Sequence, residues 1–224
     1  MASVVKICGL STAPTLEAAL SAGADLVGLV FFGRSPRFVP PERARELAAQ
    51  ARGRAKLVAL AVDADDAALA AIVTAAKPDY LQLHGCESPA RVEAIRRAFG
   101  VAVIKAIGVA EAADLKRADE YRDAADWLLV DAKPPKGAVL PGGNGLAFDW
   151  RLAQDFAPGK PWLLSGGLDA ANVGEAIALS DAPGVDVSSG VERAPGVKDE
   201  DKIKAFVAAA RAAFARQAET RSPA

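Results

Sequence analysis

The sequence predicts a single-domain (β/α)8 barrel of the TIM type, on three observations. Short runs rich in Val, Ile and Leu recur eight times along the 224 residues. Helically spaced segments lie between and after them, so that strand starts recur roughly every 20 to 35 residues, the length of one βα unit. No Gly-x-Gly-x-x-Gly follows the first run, which disfavours an open dinucleotide-binding sheet and favours a closed ring of parallel strands.

Taken in order, the candidate strands are residues 4–8, 26–32, 56–62, 80–84, 101–107, 127–131, 162–165 and 185–188. Helical stripes follow in Leu69, Ile72, Val73 and Ala76, in Val92, Ile95 and Phe99, and in Ile203, Phe206, Val207, Ala210 and Phe214. Pro40-Pro41 and Ser88-Pro89 put proline in a first helical turn, where its missing N–H costs nothing, and Asp169 precedes a Val173/Ile177 stripe. The last helix, 199–217, completes an outer ring. No linker or low-complexity block divides the chain, so the barrel is expected over 1–218, with a frayed tail at 219–224. One long loop, 132–147, carries Pro134-Pro135 and Gly142-Gly143-Asn144-Gly145; loops of that length are uncommon and often functional.

Composition excludes several classes of function. Lys plus Arg number 27 against 28 Asp plus Glu, a net charge of −1, with no basic run to track a phosphate backbone, so no nucleic-acid partner is expected. The longest apolar run, 26–32, is far short of the roughly 20 residues a membrane span needs, and residues 1–10 lack the apolar core of a signal peptide. A soluble, cytoplasmic protein is expected. Cys8 and Cys86 are too few for a disulfide framework and are expected as thiols. An Ala-rich helical exterior suits a monomer or a weak homodimer.

Alternate side chains of a barrel strand point inward. Lys6 and Cys8 therefore share one face and Val5 and Ile7 the other, with the apolar pair turned to the helices. The same rule turns Gln82 with His84, and Asp186 with Ser188, to the interior. Cys8, His84, Asp131 and Ser188 stand at C-terminal strand ends, where barrel enzymes do their chemistry. A thiol and a carboxylic acid across one mouth suit proton transfer, the thiolate taking a proton and the acid giving one, provided the site tunes both. Gly166-Gly167 after the seventh strand and Ser189-Gly190 after the eighth place backbone N–H groups where barrels bind phosphate. Arg37, in the loop after the second strand, has the fork to hold a carboxylate. Because the eighth strand neighbours the first, Lys6 is expected to form a buried ion pair with Asp186 and to favour the Cys8 thiolate.

Three ordered motifs carry a resemblance: Lys6-Ile7-Cys8-Gly9-Leu10; Gln82-Leu83-His84-Gly85; and Leu164-Ser165-Gly166-Gly167-Leu168 with Val185-Asp186-Val187-Ser188-Ser189-Gly190-Val191-Glu192. With Phe148-Asp149-Trp150 and Pro195-Gly196-Val197-Lys198-Asp199 they span nearly the whole chain. The set resembles the phosphoribosylanthranilate isomerase family of tryptophan biosynthesis. The resemblance implies an Amadori rearrangement of N-(5-phosphoribosyl)anthranilate to 1-(2-carboxyphenylamino)-1-deoxyribulose 5-phosphate, with no metal and no organic cofactor. Its partner is then a small phosphorylated sugar–anthranilate substrate.

By the same resemblance Asp131 matches the general acid that opens the ring to a Schiff base, and Cys8 the general base that removes the proton on ribose C2. Arg37 matches the residue that holds the anthranilate carboxylate, Asp186 an aspartate near the substrate amine, and His84 a pocket contact. Gly166, Gly167, Ser189 and Gly190 match the phosphate site. Two departures stand out: Gly9-Leu10-Ser11 in the first motif, and extra residues 136–140 in the loop after Asp131. A histidine-pathway phosphosugar isomerase runs similar chemistry, but with an aspartate where Cys8 stands. A non-catalytic phosphosugar-binding barrel would need neither Cys8 nor Asp131.

Overall fold

A computed structural model describes residues 3–134, 137, 140, 142, 143 and 145–221. Most of the extra loop residues 136–140, Asn144, and the tail's 222–224 lie outside the described residues. Eight strands close a parallel barrel in chain order: β1 (Val4–Cys8), β2 (Leu26–Val30), β3 (Lys56–Ala61), β4 (Tyr80–Leu83), β5 (Ala102–Val109), β6 (Trp127–Ala132), β7 (Trp162–Leu164) and β8 (Gly184–Val187). Closure is made by β1, which pairs with β2 through Lys6 opposite Leu26 and with β8 through Lys6 opposite Asp186.

The two faces of each strand divide as the alternation requires. Val5, Ile7, Leu81, Leu83, Val185 and Val187 join the large core between strands and helices. Leu26, Val58, Ile104, Ala106, Leu129 and Leu163 form a second, inner core within the ring. At the N-terminal end of the ring Tyr80 and Trp127 pack edge to face, 5.8 Å between centroids, beneath the inner core. Several strands stop one or two residues before the apolar runs do. Phe32, Val62, His84, Ser165 and Ser188 lie just past the strand ends and line the mouth.

The helices are α1 (Ala13–Ser21), α2 (Pro41–Ala51), α3 (Asp66–Ala76), α4 (Pro89–Phe99), α5 (Ala112–Leu115), α6 (Val173–Ser180) and α7 (Glu200–Arg221). Their starts follow the capping residues: Asp65 accepts from the Ala68 N–H at 2.8 Å, and Ser88 from the Arg91 N–H at 3.3 Å with Pro89 in the first turn. Asp199 stands just before α7 and accepts from the N–H groups of Asp201 and Lys202, so the helix begins one residue later than expected. It also continues through Arg221, beyond the point where the tail was expected to fray. Two crossovers are irregular: α5 continues as a 3-10 turn, Lys116–Tyr121, and among the described residues β6 is followed, before β7, only by a 3-10 turn, Trp150–Ala153. Pro158 and Pro161 bracket a glycine soon after that second turn and prevent its extension into a helix. A hairpin absent from the sequence reading follows β8: β9 (Glu192–Ala194) and β10 (Val197–Lys198), with Lys198 opposite Glu192. Among the described residues no helix is long and apolar enough to cross a membrane.

Candidate active site

A cleft of about 780 Å³, measured to its solvent-open mouth, lies at the C-terminal end of the strands. The parallel ring delivers to it every candidate residue except one: Cys8, Arg37, His84, Asp131, Gly166, Gly167, Asp186 and Ser189 all line it. Gly190 does not. A Cβ there would stand 1.9 Å from the Leu168 carbonyl oxygen, so glycine is required because the turns after β7 and β8 pack backbone against backbone. Gly166 and Gly167 both take positive φ, +90° and +67°, the left-handed conformation that turns the chain back over the mouth. Among the described residues no hydrogen bond uses the N–H of Gly166, Gly167 or Ser189.

Cys8 is buried at the end of β1, above Lys6. Lys6 Nζ donates to Asp186 Oδ1 at 2.8 Å with both side chains buried, the pair expected from the neighbouring of β1 and β8. Lys6 favours the Cys8 thiolate, as expected, but burial outweighs it. Burial pushes the thiol pKa above its ordinary value; the Lys6 and Lys198 charges oppose this, Asp186 adds to it, and burial wins. The resting group is therefore a thiol. Lys6 itself is held above the ordinary lysine value, because the lowering effect of burial is outweighed, chiefly by the Asp186 carboxylate.

Across the mouth Asp131 is the penultimate residue of β6. Its Oδ1 accepts from the Ala132 N–H at 2.9 Å, and its Oδ2 lies 3.2 Å from His84 Nε2. His84 Nδ1 is 2.9 Å from the Gln82 amide nitrogen, which donates to it, so Nδ1 is the acceptor and the ring hydrogen sits on Nε2, the ring nitrogen on the Asp131 side. The other Gln82 amide atom, Oε1, is buried with no partner. Gly142 closes over this pair: a Cβ on it would stand 2.7 Å from both Asp131 Oδ2 and His84 Nε2.

The loop that carries His84 is held from beneath by Lys105 of β5, which turns outward between Ile104 and Ala106. Its Nζ donates to Leu83 O at 3.2 Å, Gly85 O at 2.8 Å and Glu87 Oε2 at 2.8 Å. Glu87 also accepts from the N–H groups of Asp63 and Gly85, and the Tyr121 hydroxyl donates to its carbonyl. The sequence reading missed this clamp. A lone lysine inside the apolar run of β5 was the available signal, the same one that singled out Lys6. Cys86, in the same loop, is an exposed free thiol.

Arg37 is buried in the loop after β2, and its fork is already engaged. Nε and Nη2 donate to the two carboxylate oxygens of Glu192 at 2.7 and 2.9 Å, and Nη2 also to Gly143 O at 3.2 Å. A ligand carboxylate would therefore meet Nη1 and not the open fork that the sequence suggested. Among the described residues no group of three or more His, Cys, Asp or Glu side chains is placed to hold a metal ion.

This arrangement, a thiol and a carboxylic acid facing one cleft with a glycine turn and an arginine at its rim, has close relatives. The N-(5'-phosphoribosyl)anthranilate (PRA) isomerase family model matches residues 5–209. The isomerase of that name from Nitrobacter hamburgensis is 57% identical over 213 residues, 95% of each chain. That from Paracoccus denitrificans is 58% identical over 212 residues, 95% of this chain and 99% of the relative. A crystal structure of phosphoribosyl anthranilate isomerase from Thermotoga maritima superposes with a TM-score of 0.82 at 34% identity, covering 95% of this chain and all of the other. A second, in complex with reduced 1-(o-carboxyphenylamino)-1-deoxyribulose 5-phosphate, gives 0.81 at 33% over the same shares. With family model, relatives and barrel in agreement along almost its full length, the chain belongs to the N-(5'-phosphoribosyl)anthranilate isomerase family.

Proposed function

We infer that the chain isomerises N-(5'-phosphoribosyl)anthranilate to 1-(2-carboxyphenylamino)-1-deoxyribulose 5-phosphate in tryptophan biosynthesis, with Asp131 as general acid and Cys8 as general base. The observation that carries the reading is the shared cleft, in which the thiol ending β1 and the carboxyl near the end of β6 face one another's space. Asp131 Oδ1 is occupied by a backbone N–H, so Oδ2 presents the proton to the furanose ring oxygen. Protonation breaks the C1–O bond and leaves the anthranilate nitrogen and C1 as a Schiff base. The His84 Nε2 hydrogen then stabilises the carboxylate that forms on Asp131.

Cys8, once ionised, takes the proton from ribose C2, and the electron pair left behind forms the enol-amine, which tautomerises to the ketone. The protons given and taken balance, so the step needs no oxidant. Asp186 lies one strand away from Cys8 and faces the amine, with Lys6 holding it in place. Arg37 supports the anthranilate carboxylate, and the N–H groups of Gly166, Gly167 and Ser189, free of partners among the described residues, suit the phosphate. Gly190 serves that turn through its packing. The substrate is a small phosphorylated sugar derivative, and a cytoplasmic setting fits such a biosynthetic step.

The test is conversion of freshly generated phosphoribosylanthranilate, followed by loss of its fluorescence. Wild type is expected to convert it, and Cys8→Ser and Asp131→Asn, each folded, to lose about 10³-fold in kcat. Unimpaired turnover in either variant removes that residue from its role. Ligand binding without turnover by reduced wild type would point to a binding barrel.

A further inference from the structure

The reaction scheme leaves Glu192 without a task, although it is buried and fully engaged. It stands on β9, outside the ring. Its Oε1 accepts from Arg37 Nε and from Lys198 Nζ at 2.9 Å, and its Oε2 from Arg37 Nη2 and the Gly196 N–H at 3.2 Å. Burial works to raise its pKa and is outweighed by the Arg37 hydrogen bonds and the Lys198 charge, so it stays ionised below the usual carboxylate range. A buried ion pair is weak evidence for stability, since its desolvation cost offsets much of its attraction. A hairpin of five strand residues has cheaper ways to hold itself.

The placement of the hairpin supplies another reason. Its turn seats on the loop that carries Arg37: a Cβ at Gly196 would come within 2.5 Å of Pro36 O. A guanidinium has five N–H donors in one plane. Glu192 takes the Nε/Nη2 edge, Gly143 O takes the second Nη2 hydrogen, and Nη1, without a hydrogen-bond partner among the described residues, stands beside Gly143 at the cleft. Lys198 shares Glu192, so two cations meet one anion and the cluster keeps a surplus positive charge for an incoming anion. Lys198 is itself tied to Ser188 O and Oγ, at the end of β8.

We propose that Glu192 is a positioning residue for carboxylate recognition, gripping one edge of Arg37 so that Nη1 is presented, already ordered, to the ring carboxylate of the substrate. The proposal rests on reading Arg37 as the carboxylate contact. Its physical basis is preorganisation: an arginine side chain has much rotamer entropy to lose, and Glu192 settles that loss before the ligand arrives.

The experiment compares two inhibitors against the intact enzyme: the reduced form of the product, and its phenylamino counterpart lacking the carboxyl group. Wild type is expected to prefer the carboxylated molecule by about 30-fold, the worth of a charge-assisted hydrogen bond. Glu192→Gln should cut that preference below threefold while binding the other molecule within twofold of wild type. The double variant Glu192→Gln/Lys198→Met removes one anion and one cation, preserves the surplus charge, and relieves the unpaired buried lysine should the single variant fold poorly. It should show the same loss. A wild-type preference retained in the double variant overturns the proposal, as does equal weakening of both inhibitors. A wild type with no preference, or an Arg37→Ala variant that keeps it, overturns instead the reading of Arg37.

Discussion

Lys105→Met isolates what the clamp beneath the His84 loop contributes. The lysine amine and the Glu87 carboxylate are 2% and 3% exposed, so solvent cannot replace the lost partner. Breaking a buried pair by removing one member costs about 3–5 kcal/mol, because the survivor is left as an uncompensated charge. Glu87 keeps two backbone N–H donors, from Asp63 and Gly85, which places the expected loss near the lower end, about 3 kcal/mol. Against a domain stability of about 5–15 kcal/mol that is a large fraction. Urea unfolding followed by circular dichroism should show a lower midpoint at unchanged slope. Adding Glu87→Gln removes the stranded charge and should restore at least about 1.5 kcal/mol. A single variant within about 1 kcal/mol of wild type, or a double variant no better than the single, would refute the reasoning.

Other expectations follow from the same geometry. Cys8 must ionise to act and its pKa is raised, chiefly by burial, so the ultraviolet thiolate absorbance that distinguishes wild type from Cys8→Ser should grow in only past the range where an ordinary thiol ionises; its appearance within or below that range would sink this. The linked stability runs the opposite way: with the folded pKa above the unfolded one, the Cys8 contribution is present below the unfolded value and lost as pH rises through the folded value, and Cys8→Ser should flatten that fall. Lys198, lowered to about 8 by burial against the pull of Glu192, should titrate near pH 8 in a lysine-labelled NMR experiment, and its contribution should make stability rise between there and 10.5, where the unfolded chain still holds the proton. Gly142→Ala places a methyl 2.7 Å from Asp131 and His84; turnover should fall about 10²-fold with thermal stability unchanged, since the loop lies at the mouth. His84→Ala should reduce kcat more than it raises KM, measured by steady-state assay.

Much of this was legible in strand alternation. Val5 and Ile7 faced the helices and Lys6 and Cys8 the interior because a buried parallel strand offers two differently filled faces, and adjacency of β1 to β8 then brought Lys6 to Asp186. The same rule hid Lys105. It lies on the outer face, where the pattern expects aliphatic residues, and its partner Glu87 belongs to an irregular loop that no periodicity describes. Strand ends were overrun because Phe32, Val62 and His84 follow the strands without a break in residue type, so composition does not mark where each strand stops. The β9–β10 hairpin, two strands of three and two residues, is too short to carry a period, so the engagement of Arg37 by Glu192 could not be foreseen.

The edge-to-face pair of Tyr80 and Trp127 has a consequence for traffic. With the far end of the ring stoppered by two aromatic rings and an aliphatic plug above them, the reaction chamber is, among the described residues, a well that opens at the C-terminal ends of the strands. Product must leave past the same Gly142–Gly143 and Arg37 threshold that admitted substrate, so each turnover is a strict exchange of guests: the chamber cannot be refilled until it has been vacated.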